Sequence, residues 1–278
     1  MTVLEAVRWA ARALSACDSP RTDAELLMCS LLGLTRSGML LRGRARLSPP
    51  QLKRYRKMVA ARRERIPLQH ITAGVEFMAH EFAAGPEAMV PRPETETLYQ
   101  MFVSLLPPSP GALLDLGTGS GVLGVSLALR FPRALVVGVE LSREATALAR
   151  SNARSLDASG FRLVVSDLTG GFSRRPLFDG IVANLPYIPS GVIPGLQPEV
   201  RDGDPPEALD GGPDGLDLVR RALDEVPDLL RSGGVLALEL GEGQCDRVSD
   251  LIRSTTGWET GTHPDLSGRP RVVTSRKA

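Results

Sequence analysis

Apolar residues near the N-terminus recur at three- and four-residue steps, at Val3, Leu4, Val7, Ala10, Ala11 and Leu14. That period gathers them on one face and predicts an amphipathic helix. Ser19-Pro20 supplies an N-cap and a first-turn proline for a helix through Glu25, Leu26, Leu27 and Leu31, ending near Gly33. Ser48-Pro49 repeats the start signal for a helix carrying Leu52, Tyr55 and Val59. Residues 1–71 are thus expected to form a small helical bundle. From Thr72 to Val90 the period changes, with Val75, Phe77 and Phe82 set among Gly74, Gly85 and Pro86, which predicts a β-hairpin linker over residues 72–90. A helix from Glu94 to Leu106 then leads to the proline-rich break Pro107 to Pro110.

After Gly111, strands and helices alternate. Apolar strands are predicted at Ala112–Leu116, Ala134–Glu140, Phe161–Ser166, Gly180–Ala183 and Val235–Leu240, with helices beginning near Gly121, Arg143 and Asp217. Ser142 is placed to cap the second helix, whose buried stripe is Ala145, Leu148, Ala149 and Leu156. Short, near-continuous apolar strands separated by helices indicate a parallel sheet covered on both faces. Trp258–His263 and Arg271–Ser275 suggest a closing antiparallel pair. The fold class is therefore α/β, with residues 91–278 as one Rossmann-like domain.

Charge changes this picture only locally. The chain carries 33 Lys and Arg against 32 Asp and Glu, so the strongly basic balance of a nucleic-acid binder is missing. Arg42, Arg44, Arg46, Lys53, Arg54, Arg56, Lys57, Arg62, Arg63 and Arg65 nevertheless form a basic run opposed only by Glu64. Such a run is more often a solvated helix face than a docking surface; the sharper expectation is electrostatic guidance of a partner. Cys17, Cys29 and Cys245 are too scattered for a disulfide framework, and with His70, His80 and His263 they form no metal-ligand spacing, so no metal is expected. Met1 to Ala16 carries Glu5, Arg8 and Arg12 and reads as a helix rather than a signal peptide. No apolar run approaches the roughly 20 residues that span a bilayer. A soluble cytoplasmic monomer without membrane association is the expectation.

Candidate chemistry sits at two strand ends. Leu113-Leu-Asp-Leu-Gly-Thr-Gly-Ser-Gly121 runs from a strand through a glycine-rich turn into a helix. Glycines let backbone approach a ligand closely, and in open parallel sheets the ligand crevice lies at the carboxyl ends of the strands. Gly117, Thr118, Gly119, Ser120 and Gly121 are thus candidate cofactor contacts. Glu140 ends the next strand, as expected of an acid that binds ribose hydroxyls. Asp167 and Leu168 end the third and are placed to hold an adenine ring. A tight structural turn explains the glycines alone, but not the acids after successive strands. A nicotinamide cofactor is the rival, since Gly119, Gly121 and Gly124 also satisfy G-x-G-x-x-G. Asp115, two residues before the first glycine and suited to the cationic amino-acid end of S-adenosyl-L-methionine, favours the latter.

The second strand end reads Asn184-Leu185-Pro186-Tyr187. An amide or aromatic amino nitrogen is a poor nucleophile because its lone pair is delocalised. Two acceptors gripping its two hydrogens disfavour planarity and aim the lone pair at an electrophilic methyl group. The Asn184 side-chain oxygen and the Leu185 main-chain carbonyl suit that pairing, with Pro186 restricting the backbone and Tyr187 packing on the planar group. A capped turn with a buried tyrosine is the plain alternative; the position at the end of the fourth strand makes it less apt.

With these residues in view, the chain resembles the bacterial protein-(glutamine-N5) methyltransferases of peptide-chain release factors (HemK/PrmC family). The resemblance runs over essentially the whole length. It includes Arg63-Arg-Glu-Arg-Ile-Pro-Leu-Gln-His-Ile-Thr-Ala-Gly, Val90-Pro-Arg-Pro-Glu-Thr-Glu, Asp115 to Gly121, Asn184 to Tyr187, Ala208-Leu-Asp-Gly-Gly-Pro-Asp-Gly-Leu and Asp265-Leu-Ser-Gly-Arg-Pro-Arg-Val-Val. It implies a Rossmann-like class I methyltransferase domain with a seven-stranded sheet, preceded by a helical substrate-recognition domain and a hairpin linker. It further implies S-adenosyl-L-methionine as donor and the glutamine of the release-factor Gly-Gly-Gln loop as acceptor. Carried over by position, Gly117 to Gly121, Glu140 and Leu168 would line the cofactor and Asn184 to Tyr187 would hold the glutamine amide. The family usually reads Asn-Pro-Pro-Tyr, so Leu185 stands where a proline is usual. Asn-Leu-Pro-Tyr is also the form in ribosomal-RNA adenine dimethylases, whose catalytic domain comes first; here that order is reversed. An adenine-N6 methyltransferase acting on nucleic acid is therefore the second reading, and a non-catalytic adenosylmethionine-binding protein the third.

Overall fold

The computed structural model describes residues 1–278. Helix α1 (Val3–Ala13) starts at a capping box, in which the Thr2 hydroxyl accepts from the Glu5 N–H and the Glu5 carboxylate accepts from the Thr2 N–H. Helix α2 (Pro20–Leu32) has Ser19 at its cap position, yet the expected side-chain cap bond is not made; the helix closes on Gly33 in the left-handed conformation, φ 61°. Helices α3 (Arg36–Leu41), α4 (Pro49–Arg63) and α5 (Leu68–Thr72) follow, α4 with a second capping box between Ser48 and Gln51. The predicted stripes meet: Val3, Val7 and Leu14 pack with Leu27, Met28, Tyr55 and Val59. Tyr55 satisfies its buried hydroxyl by donating to the Ala24 carbonyl at 2.8 Å.

This helical unit comprises Met1–Gly74 together with Gln197–Gly203. Two of the ten cations in the basic run are structural within it. Arg62 is buried and pairs with Asp23 at 2.7 Å and Glu199 at 2.8 Å, while Arg65 reaches Glu199 at 2.6 Å. Against the opposing effect of burial, a backbone hydrogen bond and those two guanidinium groups hold the Glu199 carboxyl below its ordinary range. The other eight, from Arg42 to Arg63, are exposed.

The second unit comprises Val75–Leu196 and Asp204–Ala278. It opens with a hairpin of β1 (Val75–Phe77) and β2 (His80–Phe82), turned through Met78 and Ala79 at positive φ. The chain continues through α6 (Pro93–Leu105), β3 (Ala112–Leu116), α7 (Val122–Arg130), β4 (Leu135–Glu140), α8 (Arg143–Ser155), β5 (Phe161–Val165) and β6 (Phe178–Ala183). The short helix α9 (Pro198–Arg201) lies in the segment that belongs to the helical unit. Then come α10 (Asp217–Leu229), β7 (Leu230–Glu239), α11 (Cys245–Thr256), β8 (Thr260–Pro264) and β9 (Pro270–Arg276). Helix α11, with Val248 and Ile252 on its buried face, was not among the predicted elements.

The seven-stranded sheet has the order β5-β4-β3-β6-β7-β9-β8, parallel through the first five and antiparallel at β9 against both of its neighbours. Alternate residues of each central strand serve two cores, as a period of two requires. Leu114, Leu116, Ile181, Ala183, Leu236 and Leu238 pack with α10 and α11. Leu113, Val182, Val235 and Ala237 pack with α6, α7 and the hairpin's Phe77 and Phe82. From β3 the chain moves outward to β5 and returns to β6 on the other side of β3. A topological switch point therefore lies between β3 and β6, where a crevice opens at the carboxyl ends of the strands.

Candidate functional site

Sheet register joins the two predicted strand ends. Leu116 pairs with Ala183, so Gly117 and Asn184 leave adjacent parallel strands side by side. The turn after β3 is pinned by the Gly117 and Thr118 N–H groups, both donating to the Val139 carbonyl at 2.9 Å. Gly117 has φ 75°, and a Cβ there would lie 2.9 Å from Leu185 Cδ2. Both the backbone conformation and the neighbour thus call for glycine. Asn152, fully buried on α8, locks the turn from behind by donating to the Ser120 carbonyl at 2.9 Å while exchanging two bonds with Ala83.

A cavity of about 430 Å³ opens over this switch point. Gly117, Thr118, Gly119, Ser120, Glu140, Asp167, Leu168, Asn184, Leu185 and Pro186 lie in its wall. Glu140 spans the turn: one carboxylate oxygen accepts from the Gly119 N–H and the other from the Ser142 N–H, each at 2.9 Å. Leu168, at φ 46°, is buried in the wall, whereas the Asp167 carboxylate pairs with exposed Arg221 at 2.7 Å.

Asp115, Gly121 and Tyr187 are not in the wall. Asp115, expected at the amino-acid end of the donor, is turned inward: its carboxylate accepts from the Thr118 hydroxyl and from the Gly124 N–H. Burial pushes its pKa up to about 7 against those two bonds. A Cβ on Gly124 would come within 2.9 Å of that carboxylate, so the glycine serves strand-helix packing. Gly121 caps α7 at φ 87° and abuts Ala149. Tyr187 packs behind the loop, its hydroxyl 3.4 Å from Glu239.

Local spacing did not reveal several groups around the tetrapeptide. Thr95, on the first turn of α6, lines the cavity and accepts from Asn184 Nδ2 at 3.3 Å. Gln244 donates to the Tyr187 carbonyl at 2.9 Å and accepts from the Gly241 N–H at 2.8 Å. The Ala208-Leu-Asp-Gly-Gly segment lies alongside: the Ile188 N–H donates to the Leu209 carbonyl at 3.0 Å, the Ile188 carbonyl accepts from the Gly211 N–H at 2.9 Å, and a Gly211 Cβ would come within 2.7 Å of the Pro186 carbonyl. Arg92 pairs with buried Asp204 at 3.0 Å, and Asp204 also receives the Val90 N–H at 3.0 Å.

Two family models match the chain, PrmC N-terminal domain over residues 5–72 and Methyltransferase small domain over residues 95–192. A release factor glutamine methyltransferase of Moorella thermoacetica is 39% identical over 98% of this chain and 97% of its own length. One of Geobacter sulfurreducens is 39% identical over 93% and 90%. The chain belongs to the release factor glutamine methyltransferase family. Among solved structures, a methyltransferase from Pyrococcus furiosus superposes with a TM-score of 0.53 at 20% identity, over 73% of this chain and 91% of that one, a likeness of fold. The sheet unit is thus a class I methyltransferase domain, and S-adenosyl-L-methionine is its cofactor. The cavity suits that sulfonium cation. Glu87, Glu140, Asp167 and Glu207 are among the residues lining it, and no Lys, Arg or His is.

Proposed function

We propose that this enzyme transfers a methyl group from S-adenosyl-L-methionine to the side-chain amide nitrogen (N5) of the glutamine in the Gly-Gly-Gln motif of peptide-chain release factors. The observation that carries this reading is Asn184 Oδ1, which is buried without a hydrogen-bond partner in the cavity wall beside the glycine turn. A buried acceptor left unpaired costs about 1–3 kcal/mol. An incoming NH2 group removes that cost.

S-adenosyl-L-methionine supplies the electrophilic methyl group, held by Gly117 to Ser120, Glu140 and Leu168. Asn184 Oδ1 and the Leu185 carbonyl accept the two hydrogens of the glutamine amide, drawing its nitrogen out of conjugation and fixing its direction. Pro186 stiffens the loop, and Tyr187 backs it. Residues 1–71 act in substrate recognition, residues 72–90 form the hairpin, and residues 91–278 carry the chemistry. The match of residues 5–72 to the PrmC N-terminal domain supports that division.

The test is incubation with a release factor and with its Gln-to-Ala loop variant, followed by peptide mass measurement. One added methyl group on the Gly-Gly-Gln peptide, absent from the variant, is expected. Methyl groups recovered in nucleic acid instead would establish the adenine reading.

A further inference from the structure

The side chain of Gln244 serves loops other than its own helix. Gln244 opens α11 at the N-cap position, where Ser, Thr, Asp or Asn would cap the helix, yet its side chain makes no cap bond. It is 6% exposed and does not line the cavity. Its amide oxygen accepts from the Gly241 N–H at 2.8 Å, and that donor settles which way the amide points. The NH2 group is thereby turned to three main-chain carbonyls, of Tyr187 at 2.9 Å, Gly215 at 3.4 Å and Asp214 at 3.5 Å. One buried amide thus joins the end of the tetrapeptide to the loop after β7 and to the loop before α10.

The fit is close. A Cβ on Gly215 would collide with the Tyr187 carbonyl oxygen and come within 2.6 Å of Gln244 Nε2. The other end of the tetrapeptide is fixed by β6, whose Ala183 pairs with Leu116 and Leu238. Asn184 Oδ1 and the Leu185 carbonyl, the two proposed acceptors, lie between these anchors. A grip on two hydrogens is only as good as its placement, since an error of about 1 Å can cost on the order of 100-fold in rate.

We propose that Gln244 is a positioning residue for methyl transfer: by holding the Tyr187 carbonyl it sets the span on which Asn184 and Leu185 present their oxygens to the glutamine amide. This rests on the role given to Asn184 above. The glycine turn, Glu140 and Leu168 hold the donor, so the clamp bears on kcat and not on donor affinity.

The experiment measures kcat, KM for a release factor, donor binding and urea unfolding for the wild type, Asn184→Ala, Gln244→Met, Gln244→Glu and Gly241→Ala. Gln244→Met keeps the length and loses every bond, whereas Gln244→Glu keeps an acceptor for Gly241 and sets a carboxylate against three carbonyls. Both are expected to lower kcat by roughly 10- to 100-fold, Gln244→Glu the more, with KM and donor affinity within about threefold. Gly241→Ala deletes no bond but places a Cβ 2.9 Å from Gln244 Oε1, at the free end of a flexible side chain. It should fold normally and lower kcat by roughly three- to tenfold. Wild-type kcat in Gln244→Met, or a loss confined to KM, beside an inactive Asn184→Ala overturns the clamp and leaves the Asn184 role intact. An active Asn184→Ala overturns that role, and the clamp with it. Should both Gln244 variants unfold, Gly241→Ala decides, and an unchanged kcat there overturns the proposal.

Discussion

Leu185 shows how one residue divides its duties. Its main-chain carbonyl is the proposed second acceptor, while its side chain is buried in the core cluster shared with Leu116 and Leu168. The same side chain closes against the space that a Cβ on Gly117 would occupy. Proline would keep the carbonyl and lose part of this packing. Leu185→Pro is therefore expected to hold kcat within about threefold while lowering stability by roughly 1–2 kcal/mol, since the partly emptied core position cannot collapse fully. Kinetics and urea unfolding separate the two effects. Lost turnover with normal donor binding would mean that the leucine side chain itself orients the acceptor.

At the scale of elements, α2, α4 and the short helix α9 are tied by charge. Arg62 on α4 meets Asp23 of α2 and Glu199 of α9 with little exposure on any of the three side chains. Removing the cation strands carboxylates in a poorly solvated place. Arg62→Met should cost about 3 kcal/mol in urea unfolding, and adding Asp23→Ala should recover much of it, because the penalty comes from the unpaired charge. The exposed side of α4 behaves differently. Lys53, Arg54, Arg56 and Lys57 are exposed. Changing these four to Glu should lower kcat/KM for a release factor, most at low salt, and leave donor affinity alone. An unchanged salt dependence would remove the guidance role from this face.

Across the whole molecule, two buried acids couple stability to pH. Burial raises Asp115 from 3.8 and Glu239 from 4.5, each to about 7. Both bind their protons more tightly in the folded chain, so between those values the folded state carries more protons than the unfolded one. Unfolding free energy then falls as pH rises across that window and levels off above it, by on the order of 1 kcal/mol per pH unit for each group. Urea midpoints at pH 5, 6, 7 and 8 should decline in this way, and Glu239→Gln should flatten the slope. The carboxylates held below their ordinary range, Glu199 among them, act in the opposite direction, and only at lower pH.

The sequence by itself determined what is local or repeated. Periodicity and start signals located most helices and the parallel strands, and the glycine turn and the tetrapeptide were identifiable because each is a contiguous run with its own backbone demands. Family membership was legible for the same reason, in motifs read as strings. Only the tertiary structure decided which groups surround those runs. Thr95 meets Asn184 across 89 positions and Glu239 meets Tyr187 across 52, separations that carry no periodic signal. It also decided direction. Asp115 sits where a ligand contact was expected, but strand alternation and the close approach of Gly124 turn its carboxylate into the protein. Spacing along a chain specifies which residues share an element, whereas the packing of elements against one another determines what each side chain faces.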